Sequence, residues 1–78
     1  MAENISNNRP LDSLNEARGK RIIVELKNGR EYVGKLEAFD IHINVVLSET
    51  EEHENKELKR KIGKVFVRGD TITMISLQ

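Results

Sequence analysis

Two short stretches of this chain carry residue types from which a binding site could be built. The first lies in FDIHINVVL, where Asp40, His42 and Asn44 put an acid, an imidazole and an amide at every second position of an apolar run. The second is Arg68-Gly69-Asp70, directly after the apolar KVFV. An imidazole face and a guanidinium face can sandwich one unstacked base, and an adjacent amide can read that base's edge. Each stretch also has a plainer reading. Asp40 could accept turn N–H groups at a half-exposed strand end. Gly69 could supply a positive φ in an ordinary turn, with Arg68 solvated.

Other chemistry finds less support. Cysteine is absent, which excludes disulfides and thiolate metal sites, and suits a reducing cytoplasm. His42 and His53 stand too far apart in sequence to suggest a zinc ligand set. The acids Glu49, Glu51, Glu52 and Glu54 around His53 precede alternating charges, the pattern of a solvated segment rather than a metal site. No nucleophile with a paired base, phosphate-cradling glycine loop or spaced carboxylate pair stands out, so neither an enzyme nor a cofactor is expected. No apolar stretch is long enough for a membrane span or a signal peptide, which leaves the adhesion use of RGD little weight. The formal net charge is zero, which argues against coating nucleic acid indiscriminately but leaves room for a local basic rim.

The elements that must position these residues are mostly strands. Residues 1–8 are polar and read as disordered. RPLDSLNEA reads as one short helix, with Pro10 in its first turn, Leu11 and Leu14 on one face, and Gly19 ending it. RIIVELK alternates, with Ile22, Val24 and Leu26 on the core face. Asn28-Gly29 predicts a type I′ hairpin turn. EYVGKLEAF is a second strand whose Gly34 suggests a sharp bend or a close backbone approach. IHINVVLS is the third, with Asp40, His42 and Asn44 expected on one side and Ile41, Ile43, Val45 and Leu47 in the core opposite. SETEEHENKELKRK reads as a loop or as the splayed ends of a long hairpin. KVFVRG and TITMISL are the fourth and fifth strands. Consecutive short strands with strong bends make a small closed barrel or a two-sheet sandwich.

A chain of 78 residues makes a single domain and buries too little surface to be comfortably stable alone. The last two strands are apolar on both faces: Val65, Phe66 and Val67, then Ile72, Met74, Ile75 and Leu77. Either the termini or the charged segment cover the surplus face, or these strands pair with a neighbouring subunit. The second reading fits the small size better.

Asp40-x-His42-x-Asn44 followed by Arg68-Gly69-Asp70, in a helix-then-five-strand layout, resembles the Sm and Sm-like (Lsm) family, and its archaeal members most. GKRIIVELKNGREYVGKLEAFDIHINVVL looks like the first Sm motif and IGKVFVRGDTITMISL like the second. The bacterial relative Hfq usually carries a Tyr-Lys-His signature where Arg68-Gly69-Asp70 stands. The resemblance implies an Sm domain over 9–78: a short N-terminal helix and a strongly bent five-stranded antiparallel barrel, assembled as a ring. The ring is usually a heptamer, here of identical chains, that binds uridine-rich single-stranded RNA around its pore and acts in RNA processing or metabolism. By the same resemblance His42 and Arg68 would stack on the base, and Asn44 would bond the uracil edge. Asp40 would orient Asn44, and Gly69 and Asp70 would shape the turn. A second RNA site near the helix would use Arg9 and Phe39.

The chemistry of uracil fits this assignment. Its edge offers O4 as acceptor and N3–H as donor, and an amide supplies the complement. A freely flipping amide would serve cytosine as well, so selectivity needs a group that pins it, and Asp40 can be that group. Two further functions compete: a structural ring that holds RNA-processing proteins with RNA incidental, and a small barrel that binds DNA or a small ligand.

Overall fold

The computed structural model describes residues 9–77; the stretch 1–8, expected to be disordered, lies outside the described residues. Helix α1 (Pro10–Glu16) starts with proline, whose missing N–H costs nothing there. Asp12 in its first turn accepts the Arg9 N–H at 3.2 Å, an acid where the helix dipole favours one. Leu14 and Ala17 enter the core, whereas Leu11 stays 37% exposed, so only part of the expected apolar face is used.

Five strands follow: β1 (Arg21–Leu26), β2 (Glu31–Phe39), β3 (Val45–Glu54), β4 (Glu57–Val67) and β5 (Ile72–Ser76). They form one antiparallel sheet in the order β4-β3-β2-β1-β5. The alternation of β1 holds, with Ile22, Val24 and Leu26 buried. They meet Leu36, Val45, Leu47 and Val67 in a single cluster that the helix caps with Leu14 and Ala17.

The bend of the sheet has a local cause. Gly34 is buried in β2, and a Cβ there would lie 2.8 Å from the Thr50 hydroxyl oxygen and 3.1 Å from the Ser48 carbonyl. The β2–β3 register slips beside it, between Val33 and Lys35, and irregularities of this kind sharpen a strand's twist. Glycine permits the close approach that the sequence suggested.

The turns fall differently from expectation. At Asn28-Gly29 only Gly29 has a positive φ, the Gly29 N–H bonds the Leu26 carbonyl at 2.9 Å, and the Asn28 side chain accepts the Arg30 N–H at 2.9 Å. This is a longer connection closed by a left-handed glycine, not the two-residue I′ turn. Both central residues of a two-residue turn are left-handed at Asn55 and Lys56 instead, with φ of 53° and 66°. They join β3 to β4, so the charged segment is a long hairpin, and the described residues span 44 × 21 × 20 Å.

An ion cluster ties this hairpin together. Glu52 is 3% exposed and receives Arg60 Nε at 2.6 Å and Arg30 Nη1 at 3.1 Å. The Arg60 hydrogen bond, aided by the charges of both arginines, holds the Glu52 carboxyl below its ordinary value of 4.5 against the opposing effect of burial. A carboxyl with a lowered folded pKa stabilises above its unfolded pKa, and that contribution is lost as pH falls through the folded value. Glu52→Gln should therefore lower the melting temperature at pH 7, and the gap to wild type should close on acidification below the ordinary value of 4.5. Thermal melts across pH check this; a gap independent of pH would mean that the charge is not what matters.

Candidate nucleic-acid interface

Asp40 to Asn44 do not form the start of β3. They make a tight turn, in which the Ile43 N–H bonds the Asp40 carbonyl at 3.0 Å and the Asp40 N–H bonds the Asn44 carbonyl at 3.1 Å. Ile43 takes a φ of 61°, an uncommon state for a β-branched residue. The alternation expected for 40–47 therefore fails in its first half. Ile41 is 74% exposed rather than in the core, Ile43 is half-buried, and Val45 and Leu47 alone are fully buried.

The reason lies in Asp40. One carboxylate oxygen accepts the His42 N–H at 2.9 Å and the Asn44 N–H at 3.1 Å. These backbone donors are consumed locally and cannot join a ladder. The other oxygen accepts a hydrogen from the Asn44 side-chain nitrogen at 3.1 Å. That amide bond first, then the two backbone donors, hold the Asp40 carboxyl below the usual carboxylate range.

The second turn closes on Arg68, whose carbonyl accepts the Thr71 N–H at 3.1 Å and the Thr71 hydroxyl at 2.7 Å. Its guanidinium meets Asp70 at 2.8 Å. Gly69 then binds the two turns into one unit. Its N–H donates to the Asn44 side-chain oxygen at 2.8 Å. A Cβ at this position would run into the His42 carbonyl oxygen and stand 2.8 Å from the Ile43 carbonyl. Only glycine fits.

The result is an open hollow of about 500 Å³ lined by His42, Asn44, Phe66, Arg68, Gly69 and Asp70. Asp40 is tied to it through Asn44. Phe66 is a wall that sequence reasoning did not assign to the site; the available signal was a large apolar residue two positions before Arg68 on a strand already apolar on both faces. The Asn44 amide is pinned from both ends. Flipping it would set its NH₂ against the Gly69 N–H and its oxygen against the Asp40 carboxylate. One hydrogen and one lone pair remain free, a donor and an acceptor side by side.

Arg9 and Phe39 also come together, lining a separate hollow of about 630 Å³ with Pro10, Leu11, Asp12 and Asn15. Among the described residues no group of His, Cys, Asp or Glu is placed to hold a metal ion, and no helix is long and apolar enough to cross a membrane.

A short helix capping a strongly bent five-stranded antiparallel sheet, with the two turns interlocked, defines an Sm-type domain. Residues 12–77 match the LSM domain family, and the chain belongs to it. It is 50% identical over 68 residues to an snRNP Sm-like protein of Archaeoglobus fulgidus, covering 87% of this chain and 88% of that one. It is 49% identical over 69 residues to the Sm-like protein of Methanococcoides burtonii, covering 88% and 96%. Among solved structures, an Sm protein of Pyrococcus abyssii in complex with a uridine heptamer superposes with a TM-score of 0.88 at 39% identity, over 91% of this chain and all of the other. A heptameric archaeal Sm protein superposes with a TM-score of 0.80 at 33% identity, over 86% of this chain and 97% of the other.

Gly69→Ala should push the two turns apart and free the Asn44 amide, destabilising the fold by about 2 kcal/mol. Denaturant titration measures the loss, and the Asn44 side-chain amide resonances report the release. Unchanged resonances would show that the turns hold without the glycine.

Proposed function

We propose that this chain assembles into a homoheptameric ring that binds uridine-rich single-stranded RNA around its pore and serves RNA processing or metabolism in the cytoplasm. It acts by binding rather than by catalysis. The observation that carries the reading is the Asn44 amide, held in one orientation by Asp40 and by the Gly69 N–H, in a hollow bounded by His42 and Arg68. The free hydrogen of that amide meets uracil O4, its free lone pair meets N3–H, and the imidazole and guanidinium stack on the base. Cytosine presents the reverse pattern and finds no partner.

Two things support the ring. Strands β4 and β5 are the two edges of the sheet, and each exposes a large apolar residue, Phe66 at 65% and Met74 at 51%. The similar Sm protein noted above is heptameric. The uridine heptamer bound by the Pyrococcus relative supports the ligand. The hollow beside Arg9 and Phe39 suits a second contact to the same RNA.

His42→Ala and Arg68→Ala should each weaken binding by about 1–3 kcal/mol per base. Repeated sites on one strand multiply the loss for a long oligouridine. Native mass spectrometry should show a heptamer for the wild type and both variants, and fluorescence titration reads the affinity. Full affinity in both variants with the ring intact would move the RNA site elsewhere.

Asp40→Asn removes one of the two constraints on Asn44 and leaves the Gly69 N–H in place. The preference for oligouridine over oligocytidine should shrink without vanishing, and oligouridine affinity should fall less than in His42→Ala. Titrations at one fixed salt concentration test this. A preference equal to that of the wild type would assign the orientation to Gly69 alone.

A further inference from the structure

The turn that joins β1 to β2 carries a chemistry that the RNA site does not use. We infer that Asn28 is a site of spontaneous deamidation, held shut while the turn is folded, and that its isoaspartyl product loosens the turn that presents Arg68. The modification site follows from its own geometry; its effect on RNA rests on the uridine reading proposed above.

Asn28 is the only asparagine of the chain followed by glycine, and both residues are exposed. In an Asn-Gly pair the glycine nitrogen can reach the side-chain carbonyl carbon, because no Cβ stands in the way and the backbone turns freely. The Gly29 nitrogen gives up its proton and attacks Asn28 Cγ. The side-chain nitrogen leaves as ammonia, and a cyclic imide remains. Water then opens the imide at either carbonyl. One opening gives aspartate. The other gives isoaspartate, whose main chain runs through the former side chain and is longer by a carbon. No oxidant or cofactor takes part.

The folded turn withholds both reactants. The Gly29 N–H is bonded to the Leu26 carbonyl at 2.9 Å, and the Asn28 side-chain oxygen accepts the Arg30 N–H at 2.9 Å. The Leu26 N–H bonds the Arg30 carbonyl at 2.8 Å and closes the turn from outside. Attack therefore waits for the turn to open, and an exposed turn opens locally far more often than the whole domain unfolds. The consequence reaches the candidate site through Thr71. The Lys27 N–H bonds the Thr71 carbonyl at 2.8 Å, and Thr71 bonds the Arg68 carbonyl with its N–H and its hydroxyl. Loop length fixes the register of a hairpin, so an added backbone carbon displaces Lys27 and Gly29 from their partners. Aspartate at position 28 keeps the backbone length and an oxygen for the Arg30 N–H, and leaves these contacts in place.

The test warms the full-length wild type at one mildly alkaline pH, both folded and in urea. Glu-C digestion cuts after Glu25 and Glu31 and releases LKNGRE, whose mass reads conversion at Asn28. Enzymatic methylation of isoaspartyl groups identifies the isomer. In urea Asn28 should convert before any other asparagine, and the folded protein should convert about tenfold more slowly, or slower still. Equal rates in the two states, or no conversion in urea, overturns the proposal. The link to RNA is read by passing the warmed, folded protein over immobilised oligouridine, with Asn28→Asp as the control. Isoaspartate at position 28 should be enriched in the unretained fraction, and Asn28→Asp should be retained like fresh wild type. Equal isoaspartate in both fractions, or an equal loss of retention in Asn28→Asp, overturns the link. If fresh wild type is itself not retained, the uridine reading fails, and the conversion rates alone decide the modification site.

Discussion

The site depends on one close approach, that of the Gly69 backbone to the His42–Ile43 peptide. Two turns separated by 25 residues are packed so tightly there that no side chain fits between them. The contact brings the Gly69 N–H onto the Asn44 oxygen, and Asp40 completes the restraint from the other side. An amide is normally ambiguous because its two ends are nearly the same size. Here a backbone donor and a carboxylate of opposite demand remove the ambiguity, and the side chain presents a single donor–acceptor pattern.

The rest of the fold serves that junction. Strands β3 and β4 deliver the two turns side by side, through the pairing of Val45 with Val67, and both of these residues are buried. The bend at Gly34 lets a short sheet wrap one small core. Because the chain is small, the sheet ends with two uncovered apolar edges flanking the site, and association is the economical way to cover them. The Glu52 cluster does different work: it stiffens the part of the hairpin that extends beyond the core, where apolar packing is scarce.

Much of this was legible in the sequence. The helix, β1, β2 and the edge character of β4 and β5 follow from apolar patterning, and Asp40, Asn44 and Gly69 form one hydrogen-bonded unit with His42 and Arg68 lining the same hollow. The path of 40–44 was not legible, because spacing by two also arises when an acid bends the chain and takes its N–H groups for itself. The hairpin from 45 to 67 was only half visible. Its distal part leaves the core, so apolar periodicity fades, and what remains is charge pairing across strands, as in Glu52 opposite Arg60 and Glu51 opposite Lys61. The I′ turn at Asn55-Lys56 was hidden because lysine rarely adopts the left-handed state, while Asn28-Gly29 carried the stronger signal for a turn it does not make.

The most direct measurement is a crystal structure of this chain bound to a uridine heptamer. The expected result is a closed ring with a uracil between His42 and Arg68 of each subunit, its O4 and N3–H on the Asn44 amide, and that amide still bonded to Asp40 and Gly69. Uracils seated away from Asn44, or an Asn44 side chain turned from Gly69 in the complex, would contradict it.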